Sequence, residues 1–157
     1  MKFNMNLKTI LLVLFASIAL SACAAKKSTG DLEGDVYTGK DTVEYLAKGV
    51  PDRIFFATNK SKLTTRSRDT LRKQATYLRK NKDLNVTVEG HADERGTREY
   101  NLALGDRRAT AVRDYLLAKG LNSARIRTVS YGKERPAVSG SNEDSWEKNR
   151  RAATVLN

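Results

Sequence analysis

Two stretches of helical apolar spacing, each bracketed by short β-branched runs, restrict what this 157-residue chain can fold into. Leu63 to Lys82 carries Leu71, Ala75 and Leu78 at i, i+4 and i+7 behind a Ser/Thr-rich entry, which predicts a helix. Tyr100 to Lys119 predicts a second, with Gly105, Ala109, Val112 and Leu116 as its inner stripe and Gly120 as a C-terminal stop. Strands are predicted at Asp52–Ala57, at Leu84–Glu89 with Leu84, Val86 and Val88 on one face, at Ile126–Tyr131 and at Ala152–Leu156. Gly90–Arg98 reads as a polar loop, and a further loop runs through Gly132, Pro136 and Gly140. The order is therefore β-α-β-α-β-β. Crossovers of this length favour parallel neighbours, and helices laid on one face of a four-stranded sheet make an α/β sandwich. The 107 residues from Pro51 onward suffice for one modest core.

The first residues stand outside that pattern. Lys2 and Lys8 precede an apolar run, Ile10–Leu20, broken only by Ser17. Its 11 residues are too few to cross a hydrocarbon core of ~30 Å as a helix, and they read as the centre of a secretory signal peptide, residues 1–22. Leu20-Ser21-Ala22-Cys23 resembles the lipobox of bacterial lipoproteins. That resemblance implies cleavage between Ala22 and Cys23, leaving 135 residues with Cys23 as an N-palmitoyl, S-diacylglycerol cysteine. Cys23 is the chain's one cysteine, so no internal disulfide can form. A single acyl chain binds a membrane only marginally, which makes the multiple acylation implied here the stable anchor. Ala24 stands where an aspartate would favour inner-membrane retention, so the resemblance points to the outer membrane. Residues 23–49, with four glycines and few large apolar side chains, read as an acylated tether that begins to order near Tyr45, leaving 50–157 as the domain.

Charge narrows the partners. The formal net charge of +11 becomes +9 without Lys2 and Lys8, and residues 23–50 hold four Lys against five Asp or Glu, so the remainder carries +10. In a cytoplasmic chain this would raise nucleic acid as a partner. An exported chain meets none, and anionic wall polymer or acidic protein surfaces take its place.

The densest chemistry lies at a strand end entering a helix, Gly90–Asn101, a position where α/β folds hold ligands. Four stretches, Val86–Thr97, Leu104–Ala109, Val129–Val138 and Lys148–Ala152, resemble the OmpA-like domain family, and the similarity runs from about Arg53 to the end. The resemblance implies a mixed four-stranded sheet and non-covalent binding of peptidoglycan through the diaminopimelate of uncross-linked stem peptides. It implies a periplasmic domain that tethers the outer membrane to the wall within the Tol-Pal system, with TolB and other Tol proteins as partners and roles in envelope integrity and division. The family's wall-binding pattern falls here on Asp93, Leu104-Gly105 and Arg108-Ala109, with Asn101 and the backbone of Phe56 and Ala57 completing the site. Ala57 departs from the acidic residue or glycine frequent in the family, so a carboxylate contact there is lost.

Physical chemistry supports the pattern. The free end of diaminopimelate carries an ammonium and a carboxylate on one carbon, which one acid and one bidentate guanidinium complement. Arg107 and Arg108 point about 100° apart on a helix, and Arg108 shares the face of Leu104 and the inner stripe. Competing readings exist for each group. Asp93 alone could cap the helix or brace Arg150 or Arg151, and His91 reads as a hydrogen-bonded residue at the loop edge. The basic first helix (Arg66, Arg68, Arg72, Lys73, Arg79, Lys80) reads as a solvated face, with attraction to acidic surfaces as the alternative, and Trp146 as a packing anchor. A wall-cutting enzyme is the rival class. One histidine cannot build a metal cage or pair with a lipidated cysteine, and adjacent Asp93 and Glu94 lack the separation a muramidase needs. The chain is thus expected to be no enzyme and to need no metal or cofactor.

Overall fold

The structure, a computed structural model, describes residues 44–157. The signal segment, Ala22, Cys23 and the tether up to residue 43 lie outside the described residues. The chain opens with a hairpin of β1 (Tyr45–Ala47) and β2 (Val50–Pro51) turning on Gly49 at φ +75°. This hairpin straddles the boundary at residue 50 expected between tether and domain. Then follow β3 (Arg53–Phe55), α1 (Thr65–Lys80), β4 (Val86–His91), α2 (Arg98–Ala118), a 3-10 turn at Ser123–Arg125, β5 (Ile126–Gly132), α3 (Glu143–Asn149) and β6 (Arg151–Leu156).

Both long helices start on a threonine cap. Thr64 Oγ1 accepts from the Ser67 N–H at 3.1 Å, and Thr97 Oγ1 from the Tyr100 N–H at 3.2 Å. Each satisfies an amide that a helix start leaves unpaired. Leu63, expected inside the first helix, therefore precedes it. Gly120 takes φ +87° just after the second helix, as its position predicted.

The main sheet is mixed, in the order β3-β6-β4-β5. β4 and β5 pair in parallel across α2, as that crossover predicts. The first crossover differs: β6 inserts between β3 and β4 and runs antiparallel to both, so β3 and β4 share a direction without touching. Ile54, Val86, Val88, Ile126 and Ala152 face Leu71, Ala75 and Leu78 of α1 and Ala109, Val112 and Leu116 of α2 in one core. The short elements, β1 and β2 of the hairpin, the 3-10 turn and α3, escaped the sequence reading. The hairpin has only three-residue and two-residue strands, too short for alternation to register. α3 has seven residues, too short for a helical period, but Asn142 caps it (Oδ1 to the Ser145 N–H, 2.9 Å) and Glu143 and Asp144 fill its first turn. Those capping signs were legible.

Candidate ligand-binding site

Glycines bring α2 onto the end of β4. A Cβ on Gly90 would lie 1.8 Å from the Gly105 carbonyl oxygen, and one on Gly105 would lie 2.3 Å from Ser130 Oγ. Backbone therefore meets backbone, and the loop Ala92–Thr97 turns tightly into α2. Lys133 Nζ donates to the carbonyls of Glu94 (3.2 Å) and Gly96 (2.7 Å), and the Ala92 N–H to that of Gly132 (2.8 Å), fixing the loop from the β5 side.

Arg108 points inward and is fully buried, whereas Arg107 is exposed. The Arg108 guanidinium donates to three backbone carbonyls: Nε to Lys60 (2.9 Å), Nη1 to His91 (2.7 Å) and Nη2 to Ala57 (3.2 Å). It sits 5.1 Å from the Phe56 ring centre. Burial pushes its pKa down to about 10, with the field of Asp93 acting the other way. No carboxylate pairs with it directly among the described residues. The site thus holds a buried cation whose hydrogen bonds go to backbone carbonyls, and its fork ties the loop after β3 to the end of β4.

Asp93 is also buried, and its partners are other arginines. Arg95 donates Nε to Oδ1 (3.1 Å) and Nη2 to Oδ2 (2.7 Å), and the Arg95 backbone N–H reaches Oδ1 at 3.1 Å. Arg150 Nη1 lies 3.6 Å from Oδ2 and 2.8 Å from Glu143 Oε1, while Arg150 Nε donates to the Phe56 carbonyl at 3.1 Å. Burial alone would raise the Asp93 carboxyl; the hydrogen bonds of Arg95 and the charges of Arg95 and Arg150 outweigh it and hold the group below its ordinary value. Bracing of Arg150, one reading of Asp93 from sequence, is therefore present, whereas Arg151 turns to the Arg135 carbonyl at 3.3 Å. Arg95 and Glu143 were missed from sequence. Arg95 follows Asp93 by two, the spacing at which an aspartate accepts from the chain ahead of it, and that signal could have found it.

The remaining predicted residues surround this pair. Leu104 and Asn101 are buried on α2, and Asn101 Nδ2 donates to the Arg95 carbonyl at 2.8 Å. The Phe56 side chain is wholly buried, and its N–H and carbonyl both bond Arg150, so the corner at Phe56 and Ala57 is built by the two buried arginines. His91 differs from its expected role. Its ring lies buried against Tyr131 (centroids 5.5 Å apart), neither nitrogen has a well-formed hydrogen bond, and Glu89 Oε2 stands 3.4 Å from Nε2. Trp146 lies on α3, where its indole N–H donates to Glu94 Oε1 at 3.0 Å and its ring faces the Arg95 guanidinium at 4.1 Å. Side-chain hydrogen bonds with Ser141 and with Trp146 keep the Glu94 carboxyl below its usual value. Among the described residues no group of three His, Cys, Asp or Glu side chains could hold a metal ion, and no helix is long and apolar enough to cross a membrane.

A two-layer α/β domain with a mixed sheet, its charged site set where β4 enters α2, defines the class. Residues 55–150 match the model of the OmpA family, and the chain belongs to that family. It is 45% identical over 153 residues to the peptidoglycan-associated lipoprotein of Brucella melitensis biotype 1, spanning 94% of this chain and 91% of that protein. The crystal structure of the peptidoglycan-associated lipoprotein from Burkholderia pseudomallei superposes with a TM-score of 0.66 at 39% identity, over 68% of this chain and 90% of that one. The C-terminal domain of Helicobacter pylori MotB shares the fold alone, with a TM-score of 0.63 at 20% identity over 68% and 84% of the two chains.

Proposed function

We propose that this chain is an outer-membrane lipoprotein, anchored by acylated Cys23, whose domain in the periplasm binds peptidoglycan without cutting it. The observation that carries this reading is the buried Arg108 guanidinium, held by three carbonyls with no carboxylate of its own. A ligand carboxylate is the natural complement of such a cation, and Asp93 beside it accepts the ammonium. Together they match the zwitterionic end of diaminopimelate in a free stem peptide. Leu104 and Asn101 support the pair from α2, and Phe56 and Ala57 close the site. The names of the relatives point to the same ligand class. Within this reading the domain tethers outer membrane to wall in the Tol-Pal system, with TolB as a competing partner, and supports envelope integrity and constriction at division. The test is co-sedimentation: the chain is expected to pellet with purified sacculi, to be competed off by free diaminopimelate, and to release no soluble muropeptide with or without added Zn²⁺. Release of fragments by a clean preparation would overturn the binding reading in favour of an enzyme.

A further inference from the structure

Asp93 already carries several donors. Arg95 takes both carboxylate oxygens with its side chain and adds its backbone N–H to one of them. A carboxylate offers about four acceptor positions, and Arg150 Nη1 stands 3.6 Å from Oδ2, the oxygen that also accepts from Arg95 Nη2. Any cationic group of a ligand must therefore share Asp93 with an arginine or replace one.

The two arginines differ in their freedom to leave. The Arg150 side chain is 1% exposed and bonded to the Phe56 carbonyl and to Glu143. The Arg95 side chain is 38% exposed and already leans on α3: its Nη1 lies 3.8 Å from Glu143 Oε2, and its guanidinium faces the Trp146 ring. Rotation onto α3 exchanges one carboxylate for another and keeps the cation–π contact.

We propose that Arg95 is a displaceable latch on Asp93, occupying the place of a ligand ammonium in the free protein and moving to Glu143 and Trp146 when that ammonium binds. The proposal rests on the reading of Asp93 as the ammonium acceptor. It makes Arg95 a specificity residue. A plain amine only trades one cation on Asp93 for another, with little net gain. A zwitterionic end also supplies a carboxylate to Arg108, so the site admits zwitterions and rejects simple amines.

The test uses the full chain in detergent with two probes: muropeptide monomers bearing a free diaminopimelate amine, and the same monomers with that amine acetylated. Arg95→Gln is expected to raise the preference for the free amine about two- to five-fold, the range for removing a partly exposed ion pair. Glu143→Gln, which removes the landing carboxylate, lowers that preference. A preference in Arg95→Gln at or below wild type overturns the latch, as does an unchanged preference in Glu143→Gln. Asp93→Asn separates the latch from the site: loss of the preference there with no gain in Arg95→Gln removes only the latch. An Asp93→Asn protein with the wild-type preference removes the ammonium assignment itself.

Discussion

His91 is the one histidine in the chain, and its neutral form belongs to the fold. Burial first, then the charge of Arg151, hold its pKa down to about 3; the Arg135 backbone opposes them, and the charges of Arg53 and Arg135 add to the depression. Glu89 and Tyr131 complete its surroundings. The unfolded chain takes up a proton at this residue near its ordinary pKa, while the folded chain does not until about 3. Stability is therefore full above that ordinary value and falls as pH drops through the window between them, by up to about 1.4 kcal/mol per pH unit. The lowered Asp93 carboxyl contributes stability above the ordinary carboxylate range and loses it only below, so it leaves the upper part of the window clear. Thermal melts from pH 7 to pH 5 are expected to show a falling melting temperature, and His91→Gln to flatten the slope. An equal slope in both proteins contradicts this account of His91.

At the end of β4 the closest approach to α2 is made by two glycines, backbone on backbone. Adding a methyl at Gly90 places it 1.8 Å from a backbone oxygen that no rotamer change can move. Gly90→Ala is expected to cost more than the ~1–3 kcal/mol typical of overpacking, and Gly120→Ala, at φ +87° with open space around it, only the roughly 1–2 kcal/mol of a side chain in left-handed backbone. Equal melting temperatures for the two variants would show that the close approach is not needed. The long elements were legible in sequence because Leu71, Ala75 and Leu78, and likewise Ala109, Val112 and Leu116, repeat over enough turns to define a face. The position of β6 between β3 and β4 was not, because strand order is decided by packing across the whole sheet, and no local residue encodes it. The site divides in the same way. Helical spacing alone turns Arg108 inward and Arg107 outward, whereas Arg150 reaches Phe56 from 94 residues away in sequence, a partnership visible only after folding.

At the scale of the whole molecule, the proposed function needs both an acylated Cys23 and a wall-ligand site in the domain. Cys23 is the chain's one cysteine, so under the proposed lipoprotein function Cys23→Ser is expected to block lipidation and processing and to remove the mature form from outer-membrane fractions. Mature Cys23→Ser protein firmly in those fractions would sink the lipoprotein reading. The site is tested most directly by measuring melting and sacculus binding side by side for wild type, Asp93→Asn, Arg108→Lys and Arg107→Lys. Lysine keeps the charge at 108 but cannot reach three carbonyls with a fork, so Arg108→Lys lowers the melting temperature as well, and binding is read per folded molecule. Truncating one member of a buried charge pair costs about 2–5 kcal/mol, roughly 30-fold or more in affinity. A loss of that size in Asp93→Asn and Arg108→Lys, with Arg107→Lys near wild type, is the predicted result; equal binding per folded molecule by all four proteins would contradict the assignment of the wall ligand to this pocket.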